Sequence, residues 1–430
     1  MRRMPCLART ALLAAVVVWT APAAAQGPGR LAPSANRGRT GTYRADTANP
    51  AYHYWVCVPS TYSAERPAGL YIFFHGQFNS NGADNFWVAG GMLEAHNLVG
   101  INMEYTDGNY LQDAPGKLAA AEQAVLQTMA DYKIVQGRGV MASFSGGGII
   151  HNAYFNRHGA GGPRAMSPAW CFCTNALYST NYRGPAGGGW NWLVCLHEEE
   201  RMLAGLGTSQ TRVAADVLRE SLAGGAAEAV FFYAKGLGHG VTDRDTAWAS
   251  RMFGRTDLAI APFVYAADYP EPPLAPAVTA LGRLAYGPAE AALKKLVAAP
   301  QTPAELRAKA EKLLTAMSER ADRIVAMGKG LAADDPILCA AYARLIIPQF
   351  TGHSRRDDVQ AAFGPGVQRF TKERLATVKE WFLSAAPGLV DLASGKVSPA
   401  HRESLARTIA AAGKESEVGR MAQALLDCVP

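Results

Sequence analysis

The feature that most constrains the fold is a series of short apolar segments alternating with helix-like ones between Tyr52 and Phe253. One of them, Leu70–Phe74, is apolar at every position, as expected for a strand buried on both faces of a sheet. Strands that alternate with helices predict an α/β fold with a mostly parallel sheet and covering helices. The predicted strands are Tyr54–Val58, Leu70–Phe74, Leu98–Met103, Val140–Ala142, Trp192–Leu196 and Val230–Tyr233.

The amino terminus has the pattern of a secretory signal peptide. Arg2 and Arg3 precede an apolar stretch, Ala11–Trp19, and Ala23–Ala25 then form an A-x-A cleavage pattern. We predict cleavage after Ala25 and export to the periplasm or the medium. The apolar stretch is short for a membrane span, so stable membrane insertion is not expected.

Composition divides the exported chain into four parts. Residues 26–47 are rich in Gly, Arg, Ala and Ser and predict a flexible lead-in to an α/β domain over 48–260. Residues 261–280 contain closely spaced prolines and predict a linker. Residues 281–430 are helical in pattern, with a strong helix start at Thr302–Glu305, and predict an all-helical domain of unknown role.

The charge balance gives no reason to expect a nucleic-acid partner. The formal net charge is +6 over 430 residues, and Arg2, Arg3 and Arg9 lie ahead of the predicted cleavage site. So small a net positive charge over a chain of this length does not indicate a surface that binds nucleic acid or an anionic membrane. The oligomeric state stays open.

The cysteines suggest disulfides more than a metal site. Cys339 and Cys428 are the only ones in the helical part, and we predict that they pair. The pairing of the earlier four stays open, and these are Cys57, Cys171, Cys173 and Cys195. No second closely spaced pair accompanies Cys171 and Cys173, so we predict no metal.

A candidate nucleophile lies where a predicted strand runs into a helix. Ser145 stands in Ser143–Gly147, a run of mostly small residues directly after Val140–Ala142. A turn sharp enough to expose a hydroxyl there tolerates only small residues two places before and after it. Ser143 replaces the usual first glycine and still meets this demand.

The same reasoning selects a base and two oxyanion donors. Serine needs a base in contact, and His239, between glycines after the last predicted strand, is the best candidate. The backbone N–H groups of Gly146 and Gln77 are the predicted oxyanion hole. We interpret His75 as structural, with no role in proton transfer.

The acid that orients the base is expected after the strand Trp192–Leu196. Three adjacent glutamates follow it, and the spacing favours Glu200, with Glu199 as the alternative. Asp243 and Asp245 follow His239 too closely to be favoured.

These residues together resemble the α/β-hydrolase superfamily, in the order nucleophile, acid, base. The phrases Val58–Tyr62 and Phe73–Gly76 are similar to the opening of secreted carboxylesterases of the polyhydroxybutyrate-depolymerase and feruloyl-esterase type. The resemblance covers roughly residues 52–254. It implies a secreted serine esterase that uses a Ser-His-acid triad, an acyl-enzyme route and no cofactor.

The resemblance leaves the substrate open between small and polymeric esters. Trp170, Tyr178 and Trp190 lie in a segment expected to border the site, and we predict that they bind substrate. Two rivals remain: a peptidase of the prolyl-oligopeptidase kind, and an inactive hydrolase fold that serves as a binding protein.

Overall fold

The computed structural model describes residues 31–76, 86, 89, 91–105, 112–158, 170–174, 191–197, 229–234, 238–369 and 399–427. Eight strands in this part of the chain, most of them apolar, form one sheet. Its strands are β1 Gly41–Asp46, β2 Tyr52–Val58, β3 Ala68–Phe74, β4 Leu98–Tyr105, β5 Ile134–Phe144, β6 Trp170–Thr174, β7 Asn191–His197 and β8 Ala229–Ala234.

Helices cover the sheet and continue beyond it. Those before the proline-rich segment are α1 Met92–His96, α2 Ala114–Asp131, α3 Gly148–His158 and α4 Asp243–Ile260. The later ones are α5 Ala275–Gly282, α6 Tyr286–Ala298, α7 Ala304–Asp334, α8 Pro336–Ile346, α9 Arg356–Arg369, α10 Pro399–Ala412 and α11 Glu417–Asp427.

The strand order places the candidate site. The sheet runs β1-β2-β4-β3-β5-β6-β7-β8, with β2 antiparallel to both of its neighbours and the strands from β4 to β8 parallel. This is the order of an α/β-hydrolase sheet, so the predicted fold class is confirmed. The carboxyl ends of the parallel strands share one edge, where open α/β sheets carry their sites.

The predicted flexible lead-in contains the first strand. Tyr43 and Ala45 of β1 are buried on alternate positions, and β1 pairs with β2 along its whole length. Before it, Asp131 accepts hydrogen bonds from the backbone and hydroxyl of Ser34. The prediction of flexibility over 26–47 is therefore wrong from Ser34 onward, because pairing and burial outweigh the polar composition.

The helices after α4 belong to two packing units. Helices α5 to α9 enclose a core of their own, which includes Leu281, Leu313, Ile324 and Phe363. Helices α10 and α11 instead contribute buried residues to the core of the sheet, and α11 lies against β8. The region predicted as one helical domain thus returns to the core of the sheet at its end.

The proline-rich segment is packed instead of extended. Two short 3-10 turns, Ala266–Asp268 and Pro272–Leu274, lead into α5, and Leu274 is fully buried in the helical core. Arg320 of α7 is buried as well, and its guanidinium donates to the backbone carbonyls of Asp257 and Ala261 at 3.0 and 2.6 Å. The helical unit therefore holds the end of α4, the helix that follows His239.

The disulfide predicted between Cys339 and Cys428 is contradicted by the structure, in which Cys339 is a free thiol. Its Sγ lies 3.3 Å from the carbonyl oxygen of Phe363, to which it donates, inside the interface of α8 and α9. Burial raises its pKa to about 11. Cys428 lies outside the described residues, Cys57 is also a free thiol, and Cys195 is buried in β7.

Candidate active site

Ser145 occupies a strained turn between β5 and α3. Strand β5 ends at Phe144, and a single 3-10 turn, Ser145–Gly147, leads into α3. Ser145 has φ 48°, in the left-handed region that residues with a Cβ rarely enter. Such a conformation costs roughly 1–2 kcal/mol and persists only where the surroundings impose it.

Close backbone packing imposes this turn. A Cβ on Gly147 would stand 2.1 Å from the carbonyl oxygen of Phe74 and 2.5 Å from that of His75. A Cβ on Gly76 would stand 2.9 Å from the ring of Phe144. The turn therefore lies directly against the end of β3, where the candidate oxyanion loop begins.

The structure brings His239 to Ser145. The distance from His239 Nε2 to Ser145 Oγ is 2.8 Å, a hydrogen bond between residues that are distant in sequence. The ring of Phe144 lies 4.8 Å from the imidazole, centroid to centroid, and limits its movement. With Nε2 as the acceptor, the hydroxyl proton points at the base that would remove it.

A capped helix follows His239. Thr242 and Asp245 form a capping box at the start of α4, in which Asp245 Oδ2 accepts from the backbone and hydroxyl of Thr242 at 2.8 and 3.0 Å. The Asp245 carboxylate is fully buried. This contact fixes the chain directly after the His239 loop.

One of the two expected oxyanion donors is described. Gly146 follows Ser145 at the amino end of the turn that opens α3, where the helix dipole favours negative charge. Gln77 lies outside the described residues. Nearby His75 is buried and donates from Nδ1 to the carbonyl of Gly76 at 2.7 Å. Burial lowers its pKa to about 4, so a neutral structural ring fits this position.

Of the remaining predicted site residues, only Trp170 belongs to the part of the chain that the structure describes. Glu199, Glu200, Tyr178 and Trp190 lie outside the described residues. Trp170 is the first residue of β6 and pairs with Val140, at the amino end of the strand. Ser145 follows the carboxyl end of β5, so the backbone of Trp170 lies away from the site edge. The segment predicted to border the site therefore includes a strand, Trp170–Thr174.

Sequence reasoning missed one contact at the turn. Ser143 Oγ and His151 Nδ1 are 2.7 Å apart, and both side chains are buried. The signal that pointed to it was the serine in place of the first glycine, because a buried hydroxyl requires a partner.

The buried histidines predict acid sensitivity. Burial lowers the pKa of His75 to about 4 and of His151 to about 3, from the ordinary 6.5. At a pH between the ordinary pKa and the lowered pKa of the folded protein, the unfolded chain binds protons that the folded chain does not. The free energy of unfolding therefore falls as the pH drops below 6.5. We expect a loss of about 2 kcal/mol for each histidine between about pH 7 and pH 5. Urea unfolding at the two values measures it, and equal stabilities would contradict it.

The part of the chain that the structure describes bears on two other functions. None of its helices is both long enough and apolar enough to cross a membrane. Within the same residues, no three His, Cys, Asp or Glu side chains gather as metal ligands would. The side chains of Cys171 and Cys173, on β6, lie outside this description.

Comparison with known proteins gave matches among solved structures alone. No family model and no curated protein matches the chain. The esterase of the planctomycete Thermogutta terrifontis with bound propionate is 10% identical, over 50% of this chain and 94% of its own, with TM-score 0.39. A Thermus thermophilus protein is also 10% identical, over 50% of this chain and 98% of its own, with TM-score 0.36. An α/β serine hydrolase without a lid from Xanthomonas campestris is 10% identical, over 52% of this chain and 97% of its own, with TM-score 0.35. At these values the fold assignment rests on the strand order of the chain itself.

Proposed function

We propose that the chain is a secreted serine hydrolase that cleaves carboxylic esters through an acyl-enzyme. The observation that carries the proposal is the hydrogen bond of 2.8 Å between Ser145 Oγ and His239 Nε2, made on a strained turn at the carboxyl edge of the sheet. A hydroxyl becomes a useful nucleophile when a base is in contact with it and the backbone presents it to the substrate.

The residues have separate roles in the proposed reaction. His239 removes the Ser145 proton as the hydroxyl attacks the ester carbonyl. The N–H groups of Gly146 and Gln77 bind the oxyanion, and His239 then protonates the leaving alcohol. Water, activated by the same imidazole, releases the acid. An oxyanion donor of this kind contributes roughly 10²–10³ in kcat, and general acid-base catalysis typically 10²–10⁴.

Glu200 is the proposed acid. Strands β7 and β8 are parallel neighbours, so the chain leaves both at the edge that carries His239. A carboxylate reaching His239 Nδ1 would fix the tautomer in which Nε2 accepts the serine proton. Glu200→Gln should lower kcat by roughly a thousandfold or more, and Glu199→Gln by less than about tenfold. Steady-state kinetics at equal folded fraction test this, and the reverse ranking would assign the acid to Glu199.

The proposed substrate is a small or polymeric ester outside the cytoplasm. The signal peptide supports export, and amino-terminal sequencing of the exported protein tests cleavage after Ala25. Among the predicted aromatic contacts, Tyr178 follows the carboxyl end of β6 and remains a substrate-binding candidate. Trp170 begins β6 at the end of the strand away from the site edge, so it is left out of this proposal, whereas Trp190 lies outside the described residues and stays a prediction.

A substrate panel separates this function from its rivals. We expect hydrolysis of p-nitrophenyl esters of increasing acyl length and no cleavage of peptide p-nitroanilides. Faster cleavage of the anilides would favour the peptidase. No turnover of either, together with no reaction with a fluorophosphonate, would favour a binding protein.

A further inference from the structure

The contact between Ser143 and His151 spans the nucleophile turn. Ser143 is the penultimate residue of β5, and His151 lies in the first turn of α3. Their side chains meet at 2.7 Å, Ser143 Oγ to His151 Nδ1, with exposed fractions of 1% and 0%. The chain between them contains Ser145, so this hydrogen bond closes a loop around the nucleophile.

The His151 ring also contacts the neighbouring strand. Its centroid lies 6.0 Å from that of Phe74, the last residue of β3, and the two planes are inclined by 34°. The carbonyl oxygen of Phe74 is the atom that leaves no room for a Cβ on Gly147. His151 is thereby packed between the nucleophile turn and the strand that leads into the oxyanion loop.

His151 is suited to hold these parts in place but not to transfer protons. Burial lowers its pKa to about 3, so the ring is neutral at ordinary pH. The base in contact with Ser145 is His239, on a different loop. A neutral ring has one N–H and one acceptor nitrogen, and at Nδ1 it can bond the Ser143 hydroxyl in either tautomer.

We propose that His151 is a positioning residue for the nucleophile, which holds the Ser145 turn in register with β3 through its bond to Ser143 and its contact with Phe74. The residue two places before the nucleophile is Ser143, and its hydroxyl is the group to which His151 of α3 forms a hydrogen bond. A glycine at that position could not make this contact. The inference rests on the proposed function.

Two isosteric substitutions test the role of Nδ1. The Asn amide can place a hydrogen-bonding group near the position of Nδ1, and the Gln amide near that of Nε2. We expect His151→Leu and Ser143→Ala each to lower kcat for a p-nitrophenyl ester by about 10- to 100-fold with KM changed less than about twofold, as misplacement of a catalytic group does. His151→Asn should recover most of the loss, and His151→Gln little of it.

A double variant and a control separate positioning from stability. If the pair acts as one unit, Ser143→Ala/His151→Leu should be no slower than the slower single variant. His353→Leu removes a buried histidine from the helical unit and should lower the melting temperature with no change in kcat per folded molecule. All rates are taken well below the melting temperatures and divided by the folded fraction from circular dichroism.

The outcomes distinguish this inference from the proposed function. The wild-type rate of fluorophosphonate labelling comes first, since a wild-type protein that does not react defeats the proposed function. If the wild type reacts and folded His151→Leu has an unchanged kcat, or Asn and Gln behave alike, the positioning role is overturned. If His151→Leu does not fold, the test rests on Ser143→Ala and on the comparison of His151→Asn with His151→Gln.

Discussion

Ser145→Ala should lower kcat for p-nitrophenyl esters by roughly a millionfold, as removal of a nucleophile does in serine hydrolases. The substitution removes only Oγ, the atom that His239 Nε2 contacts at 2.8 Å. It keeps the Cβ, so the backbone at φ 48° is no more strained than before. The melting temperature should therefore change by no more than about 2 °C, consistent with a loss of one hydrogen bond.

A matched substitution on the helical unit provides the control. Ser318 is exposed on α7, and Ser318→Ala should leave both kcat and the melting temperature unchanged. Activity of Ser145→Ala above about a thousandth of the wild type would mean that Ser145 is not the nucleophile, because residual catalysis without one is smaller.

Gly147→Ala should have the largest effect on stability among single-methyl additions in the described structure around the site. Its Cβ would stand 2.1 Å from the Phe74 carbonyl oxygen and 2.5 Å from that of His75. Both atoms belong to the backbone of a buried strand and its continuation, which cannot move as a side-chain end can. We expect a loss of about 3 kcal/mol or more in the free energy of unfolding, at the upper end of overpacking. Urea unfolding measures it.

A glycine-to-alanine substitution where there is room for the methyl group should not lower the free energy of unfolding. Gly330 lies in α7, and a Cβ there would meet nothing within 4 Å. Gly330→Ala should be neutral or stabilise by up to about 1 kcal/mol, because alanine loses less conformational entropy in a helix. If Gly147→Ala unfolds at the same urea concentration as Gly330→Ala, the close approach of the turn to β3 is wrong.

Local signals in the sequence were sufficient for most of the sheet. The strand predicted at Leu70–Phe74 is observed as Ala68–Phe74, and the one at Leu98–Met103 as Leu98–Tyr105. The first is apolar throughout and the second is mostly apolar, as expected for strands that are buried on both faces of the sheet. The nucleophile turn was predictable for a related reason, since its crowding restricts Ser143–Gly147 to mostly small residues.

Features that depend on distant partners were not predictable in this way. Strand β1 is polar in composition, and only its pairing with β2 and the burial of Tyr43 and Ala45 make it ordered. Helices α10 and α11 return to the sheet core across more than a hundred residues, which no local pattern encodes. The contact of His151 with Ser143 is a different case, because the two residues are only eight positions apart and the serine in place of the usual glycine was a local signal for it.

The measurement that tests the central claim most directly is the site of covalent modification. The wild-type protein is treated with a fluorophosphonate, digested and mapped by mass spectrometry. We predict a single adduct, on the peptide that contains Ser145, and none after Ser145→Ala. An adduct on another residue, or no adduct on a folded protein, would contradict the assignment of Ser145 as an activated nucleophile.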